Sequence, residues 1–156
     1  MPGSRLANRS NREAQRAHDT FDRRATAYVD YICVLQTCPY VPNSPKLDDL
    51  KVYVDAITTW HQNCQEKAAA LHAYASKALL PKFTEYQREA ERTVQLIAAK
   101  YREIRGLWHV APDEKFVCAE TPETVFPVAR ELTQAHTKLW ESTTEFIASM
   151  RDDLAK

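Results

Sequence analysis

Apolar residues recur at steps of three and four along four stretches of the chain, the spacing that lines one face of an α-helix. In the first stretch the stripe is Ala14, Ala17, Phe21, Ala25, Tyr28, Ile32 and Leu35, with Arg12, Arg16, Asp19, Arg23 and Arg24 on the other faces. Ser10 and Glu13 have the spacing of a capping box, in which the hydroxyl accepts from a free amide and the carboxylate reaches back. The pattern predicts a helix from about 11 to 37. Cys38-Pro39 ends it, because the residue before a proline is pushed out of the helical region.

The second stretch opens at Ser44-Pro45, a capping residue followed by a proline whose missing amide costs nothing there. Leu47, Leu50, Val54, Ile57, His61, Cys64, Ala68, Leu71, Ala75 and Ala78 follow as a heptad seam. Tyr53, Trp60 and Tyr74 line a flanking face. From 56 to 80 the formal charges are Glu66, Lys67 and Lys77 alone. A helix with so little charge is expected to be covered on more than one side.

The third stretch lies between Pro81 and Arg105, with Phe83, Tyr86, Ala90, Val94, Ile97, Tyr101 and Ile104 as its stripe. Gly106 stands where a helix often ends in a left-handed residue. Residues 107–121, with Leu107, Trp108, Val110, Phe116 and Val117, form a connection apolar enough to expect it packed. The last helix is expected from near Thr121-Pro122 to about Leu154. Its seam is Val125, Ala129, Leu132, His136, Leu139, Thr143, Phe146 and Met150, and Pro127 blurs its start.

These segments predict an all-α fold, a single helical domain over 1–156. Two antiparallel arrangements fit. In the leading one, the second and third segments are one long helix kinked at Pro81, ~90 Å from end to end, which the first and last segments cover in turn. The residues around Pro81, Ser-Lys-Ala-Leu-Leu-Pro-Lys, contain no Gly, Asn or Asp to shape a reversal, which favours this form. The alternative is a four-helix up-down bundle with a turn at Pro81.

Composition narrows the function classes. The 156 residues hold 21 Lys plus Arg and 21 Asp plus Glu, so the whole chain exerts no pull towards nucleic acid or anionic lipid, and no nucleic-acid partner is expected. Two glycines leave no room for a Gly-rich phosphate loop. No 18-residue apolar run exists to span a bilayer, and no apolar signal-peptide core follows Met1. The expectation is a soluble intracellular protein, with mitochondrion and cytoplasm both open. Arg5, Arg9 and Arg12 stand without an acid in the first twelve residues, but Glu13, Asp19 and Asp22 follow. Over residues 1–24 six arginines face three acids, read as a solvated basic face ahead of a docking or targeting element.

Candidate chemistry is sparse. Cys33, Cys38, Cys64 and Cys118 form no C-x-x-C pair, and without a secretion signal reduced thiols are expected. His61, Cys64 and His136 are the best zinc candidates, but they lack a fourth ligand, and packed seam residues are the plainer reading. Glu13 to His18 and Glu131 to His136 are steps of five, not the three of a di-iron bundle. Zincin, Walker and Gly-x-Ser-x-Gly motifs are absent. Neither metal nor other cofactor is expected, and no catalytic residue.

The functional expectation is a non-catalytic structural or accessory subunit bracing a multi-protein assembly, with protein partners or copies of itself. A free-standing adaptor or coiled-coil dimer binding a partner helix is the alternative, and a small helical-bundle enzyme comes last. Tyr53, Trp60, Tyr74, Trp108, Phe116 and Trp140 are the expected protein-interface residues, because Trp and Tyr dominate contact surfaces.

Overall fold

A computed structural model of the chain describes residues 3–42, 46–110, 116–118 and 122–156, with side chains over 9–42, 46–107 and 127–156. Four helices carry the fold: α1 Gly3–Gln36, α2 Leu47–Tyr74, α3 Leu79–Gly106 and α4 Pro122–Leu154. Between α3 and α4, β1 Trp108–Val110 pairs antiparallel with β2 Phe116–Cys118, His109 standing opposite Val117. This small hairpin was not expected from the sequence. Whether the connection's side chains pack lies outside the described residues.

The helices run up-down-up-down. Trp60 Nε1 donates to the Val34 carbonyl and Arg24 Nε to the Tyr74 carbonyl, both at 3.0 Å, so α1 and α2 are antiparallel. His72 meets Gln87 at 3.0 Å, and Thr84 and Glu91 share a groove with Trp60 and His61, so α3 folds back along α2. Tyr86 bonds Thr143 at 3.0 Å and Lys100 pairs with Glu131, which sets α4 against α3.

The expected long helix kinked at Pro81 is therefore corrected to the bundle. The chain reverses at 75–78, ahead of the proline. Pro81 lies in the first turn of α3, where its missing amide would have had no helical partner. Ser76 shapes the reversal: its hydroxyl and its carbonyl each accept from the Leu79 amide at 3.1 Å, and the carbonyl also accepts from Leu80. The rest of the turn is held by other helices, which a local reading of residues 76–82 does not contain.

Smaller corrections follow the same logic. α1 begins at Gly3, so Ser10 is inside the helix, and Glu13 accepts from Arg9 Nε at 2.9 Å instead of closing a capping box. α2 begins at Leu47, behind Lys46, with Asp48 and Asp49 placed favourably at the positive helix end. Residues 43–45, where Ser44-Pro45 was expected to cap, lie outside the described residues. Gly106 is still helical and Leu107 follows in right-handed geometry, so no left-handed cap forms.

Most of the expected seams are buried. Leu47, Leu50, Val54, Ile57, Cys64, Ala68 and Leu71 face inward from α2, and Leu132, His136, Leu139, Thr143, Phe146 and Met150 from α4. Tyr31, Phe83, Tyr86 and Phe146 form an aromatic centre. Phe83 and Tyr86 each stack on Phe146, at 5.6 and 4.7 Å between ring centres, and Tyr31 meets Phe83 edge-on at 5.4 Å. Offset and edge-on pairs of this kind stabilise beyond the area they bury, by about 0.5–1.5 kcal/mol each.

The first helix departs most from expectation. It packs only from Arg24 onward. Every described residue from Arg9 to Arg23 is exposed, including Ala14, Ala17 and Phe21 of the expected stripe. α1 is slid along the bundle axis, because its partner α2 ends at Tyr74 beside Arg24. Among the described residues no other helix lies beside 3–23, which form a helical arm ~31 Å long. At the other end Cys38 is buried and Val41 half-buried, continuing the core where α1 has run out.

Candidate functional site

Three places hold the polar and chemically able side chains: a groove between α2 and α3, a knot at the α2–α3 turn, and the arm. The groove has a volume of about 290 Å³. Tyr31, Trp60, Cys64 and Tyr86 lie along its inner wall, and His61, Gln65, Gln87 and Glu91 along its rim. They share one opening because α2 and α3 each contribute residues at helical spacing on facing sides. Cys64 is 5% exposed, and burial pushes its thiol up to about 12, so the nucleophilic thiolate is scarce at neutral pH. His61 is lowered by burial, opposed by the Glu91 charge, and its Nε2 meets Gln65 Nε2 at 3.2 Å.

His136 is not in this groove. It is buried on α4, where its Nδ1 meets the Tyr53 hydroxyl at 2.7 Å, and burial lowers its pKa. The structure thus brings His61 and Cys64 to one opening and sets His136 elsewhere. Among the described residues no three His, Cys, Asp or Glu side chains converge as a metal would require. Cys38 is likewise buried and pushed up to about 12, and Cys33, Cys38 and Cys64 are free thiols.

The knot ties three parts of the bundle. Asp153 of α4 accepts from the Tyr28 hydroxyl at 2.6 Å and from the Ser76 hydroxyl at 2.7 Å. The Ser76 amide in turn donates to the Tyr28 oxygen at 3.1 Å. Burial acts to raise the Asp153 pKa, but the bonds from Tyr28 and Ser76 and the charges of Arg24 and Lys156 outweigh it and hold the carboxyl below its ordinary range. Tyr28 moves the opposite way, raised first by burial and then by its bond to Asp153. These are the marks of a structural latch, in which an ionised acceptor is satisfied twice.

The expected interface residues separate into distinct groups. Tyr53 and Trp60, each 3% exposed, face this chain's own core, which corrects their assignment to a partner surface. Their hydroxyl and indole N–H find internal partners in His136 and Val34, as buried polar tips must. Tyr74 is half-buried at the turn, and its carbonyl accepts from Arg24. Trp140 is 39% exposed, 6.0 Å from the ring of Tyr40, which is 80% exposed. The side chains of Trp108 and Phe116 lie outside the described residues. Sequence reasoning missed Tyr40, Ser76 and Asp153, since each acquires its role from a residue distant in the chain.

No helix among the described residues is long and apolar enough to cross a membrane. The chain matches no family model, no curated protein and no solved structure. What the geometry defines is a staggered four-helix bundle with a projecting helical arm.

Proposed function

We propose that the chain is a non-catalytic helical accessory subunit that braces a larger protein assembly. The observation that carries this is the outer face of α2 beyond its charged first turns, which expose Asp48, Lys51 and Asp55. Thr58, Thr59, Gln62, Asn63, Ala69, Ala70 and Ala73 are all exposed there, with Glu66 the one charge among them and Lys67 beside them. A solvated helix face ordinarily carries charge every turn, whereas a face that docks a protein is depleted of it. The exposed Tyr40–Trp140 pair adds an aromatic contact of the kind that anchors interfaces.

The test is native purification of the full chain alongside a Gln62→Lys/Ala69→Lys variant. We expect the wild-type chain in fixed stoichiometry with other proteins, and the variant free of them with an unchanged melting temperature. A wild-type chain recovered alone and monomeric would remove the basis of the reading.

A second reading, a coiled-coil dimer or adaptor, is favoured by the arm. Ala14, Ala17 and Phe21 continue in phase with Tyr28, Tyr31 and Leu35 beyond the point where the bundle ends. Light scattering of the isolated chain would then give a dimer that deletion of the arm converts to monomer.

A further inference from the structure

The arm has a second property, independent of any role in an assembly. Arg9, Arg12, Arg16 and Arg23 are all exposed. At 3.6 residues per turn they fall within about a 60° arc of the helix surface, in a row ~21 Å long. Arg5 precedes Arg9 by four residues in the same register. The arm also carries three acids, of which only Glu13 precedes Arg16. Glu13 is paired with Arg9, Asp19 accepts from Gln15 Nε2 at 3.1 Å, and Asp22 pairs with His18 at 3.5 Å. From Arg5 to Arg16 four arginines meet one acid, Glu13, which is bonded to Arg9 of the row, while Asp19 lies beside the row between Arg16 and Arg23.

Whole-chain neutrality does not cancel this charge. The tip from Arg9 to Arg16 stands ~12–22 Å beyond Arg24, where the bundle begins. Charges in water are screened over ~8 Å at physiological salt, so acids on the bundle hardly reach this tip. The balanced composition that argued against nucleic acid is an average over two parts that the fold separates.

The side chains between Arg9 and Thr20 indicate the class of partner. Apart from Ala14 and Ala17 they are Arg, Ser, Asn, Glu, Gln, His, Asp and Thr, and the one bulky apolar side chain from there to Arg23 is Phe21, on the side of the helix away from the row. The centre of a protein–protein interface is apolar and aromatic, and a membrane-binding helix needs bulky apolar residues. Nucleic-acid interfaces are polar, strongly basic and rich in Arg, whose planar fork grips phosphate oxygens. A single α-helix with its side chains is ~10–12 Å across, and the major groove of B-form DNA is ~12 Å wide. The major groove of A-form RNA is too narrow to admit it.

We propose that the α1 arm lies in the major groove of duplex DNA and grips the phosphate backbone through the row Arg9, Arg12, Arg16 and Arg23. The test uses the full chain and a labelled duplex of about 20 base pairs in mixed sequence, followed by fluorescence anisotropy between about 50 and 200 mM salt. Each arginine–phosphate contact contributes about 0.9 to the slope of log K against log salt, so four give a slope between about −3 and −4. The variant Arg9→Gln/Arg12→Gln/Arg16→Gln/Arg23→Gln should bind at least ~10-fold more weakly, with a slope near zero and a nearly unchanged melting temperature, since all four side chains are exposed. Duplex RNA, polyglutamate and phosphatidylserine vesicles serve as competing probes and should each bind more weakly than the DNA. The proposal is overturned by no binding at about 50 mM salt, by a variant that binds like the wild type, or by any competing probe that equals the DNA at the same salt.

Discussion

Replacing Asp153 with alanine tests the knot that joins α1, the α2–α3 turn and α4. The substitution removes the acceptor of two hydrogen bonds, from Tyr28 at 2.6 Å and Ser76 at 2.7 Å. A hydrogen bond to a charged group is worth about 1.5–3 kcal/mol, and this site is half-buried, so the lower end of that range applies to each. Asp153 also stands one residue before the C-terminus of α4, where a negative charge is disfavoured by about 0.3–1 kcal/mol that its removal returns. The net loss is then roughly 2–2.5 kcal/mol. For a chain of this length that lowers the melting temperature by about 4–10 °C. The assay is thermal and urea unfolding by circular dichroism, with Tyr28→Phe added for a double-mutant cycle; directly bonded residues should couple by at least about 0.5 kcal/mol. Acid titration supplies the sign. The folded carboxyl titrates below its unfolded value of about 3.9, so its contribution is complete above that pH and is lost as pH falls through the folded value. The wild-type advantage over Asp153→Ala should therefore shrink as pH falls below about 4. A variant within about 0.5 kcal/mol of wild type at pH 7, or an advantage that does not change in acid, would refute the latch.

The other tests probe separate parts of the fold. Ile57 is fully buried, so Ile57→Asp should cost on the order of 3–5 kcal/mol in urea unfolding, and a change within about 0.5 would show that the α2 seam is misplaced. Tyr53→Phe leaves buried His136 without its 2.7 Å partner and should cost about 1–3 kcal/mol by the same measurement. Burial lowers His136 and His61, so the unfolded chain binds protons that the folded chain does not as pH falls through about 6.5. Melting temperature should drop between about pH 7.5 and 5.5, and His136→Gln should flatten part of that slope while His61 keeps the remainder. Small-angle scattering should give a longest dimension of roughly 75 Å, falling to about 45–50 Å when residues 1–22 are deleted; equal values would deny the projecting arm.

The helices and much of their inward faces were legible because burial imposes a period that the sequence must display. Ile57, Leu71, Leu132, Leu139 and Met150 stand on the expected seams and are fully buried. Tyr53 and Trp60 were assigned outward because a large aromatic beside a seam can serve a core or a partner, and only the positions of His136 and Val34 decide it. The reversal at 75–78 was illegible for a related reason. Ser76 is an ordinary turn residue, and what holds the turn is Tyr28 and Asp153, 48 and 77 positions away. The stagger of α1 left no local trace either. Ala14, Ala17 and Phe21 keep the same spacing as Tyr28 and Leu35, and periodicity cannot say where the neighbouring helix stops.

That stagger gives one unbroken helix two very different resistances to opening. From Arg9 to Arg23 the hydrogen-bonded turns have no described side chains packed over them, while from Ala27 to Leu35 the same ladder is sealed by the core. Amide protons in the first part should exchange at close to the rate of an isolated peptide helix, and those in the second only on opening of the bundle. The boundary falls at Arg24, where the Tyr74 carbonyl pins the helix to α2. Fraying of the arm is halted there. A molecule that grips the arm would slow exchange over residues 9–23 and leave 27–35 as they were, so its footprint could be located along a single helix without reference to the rest of the fold.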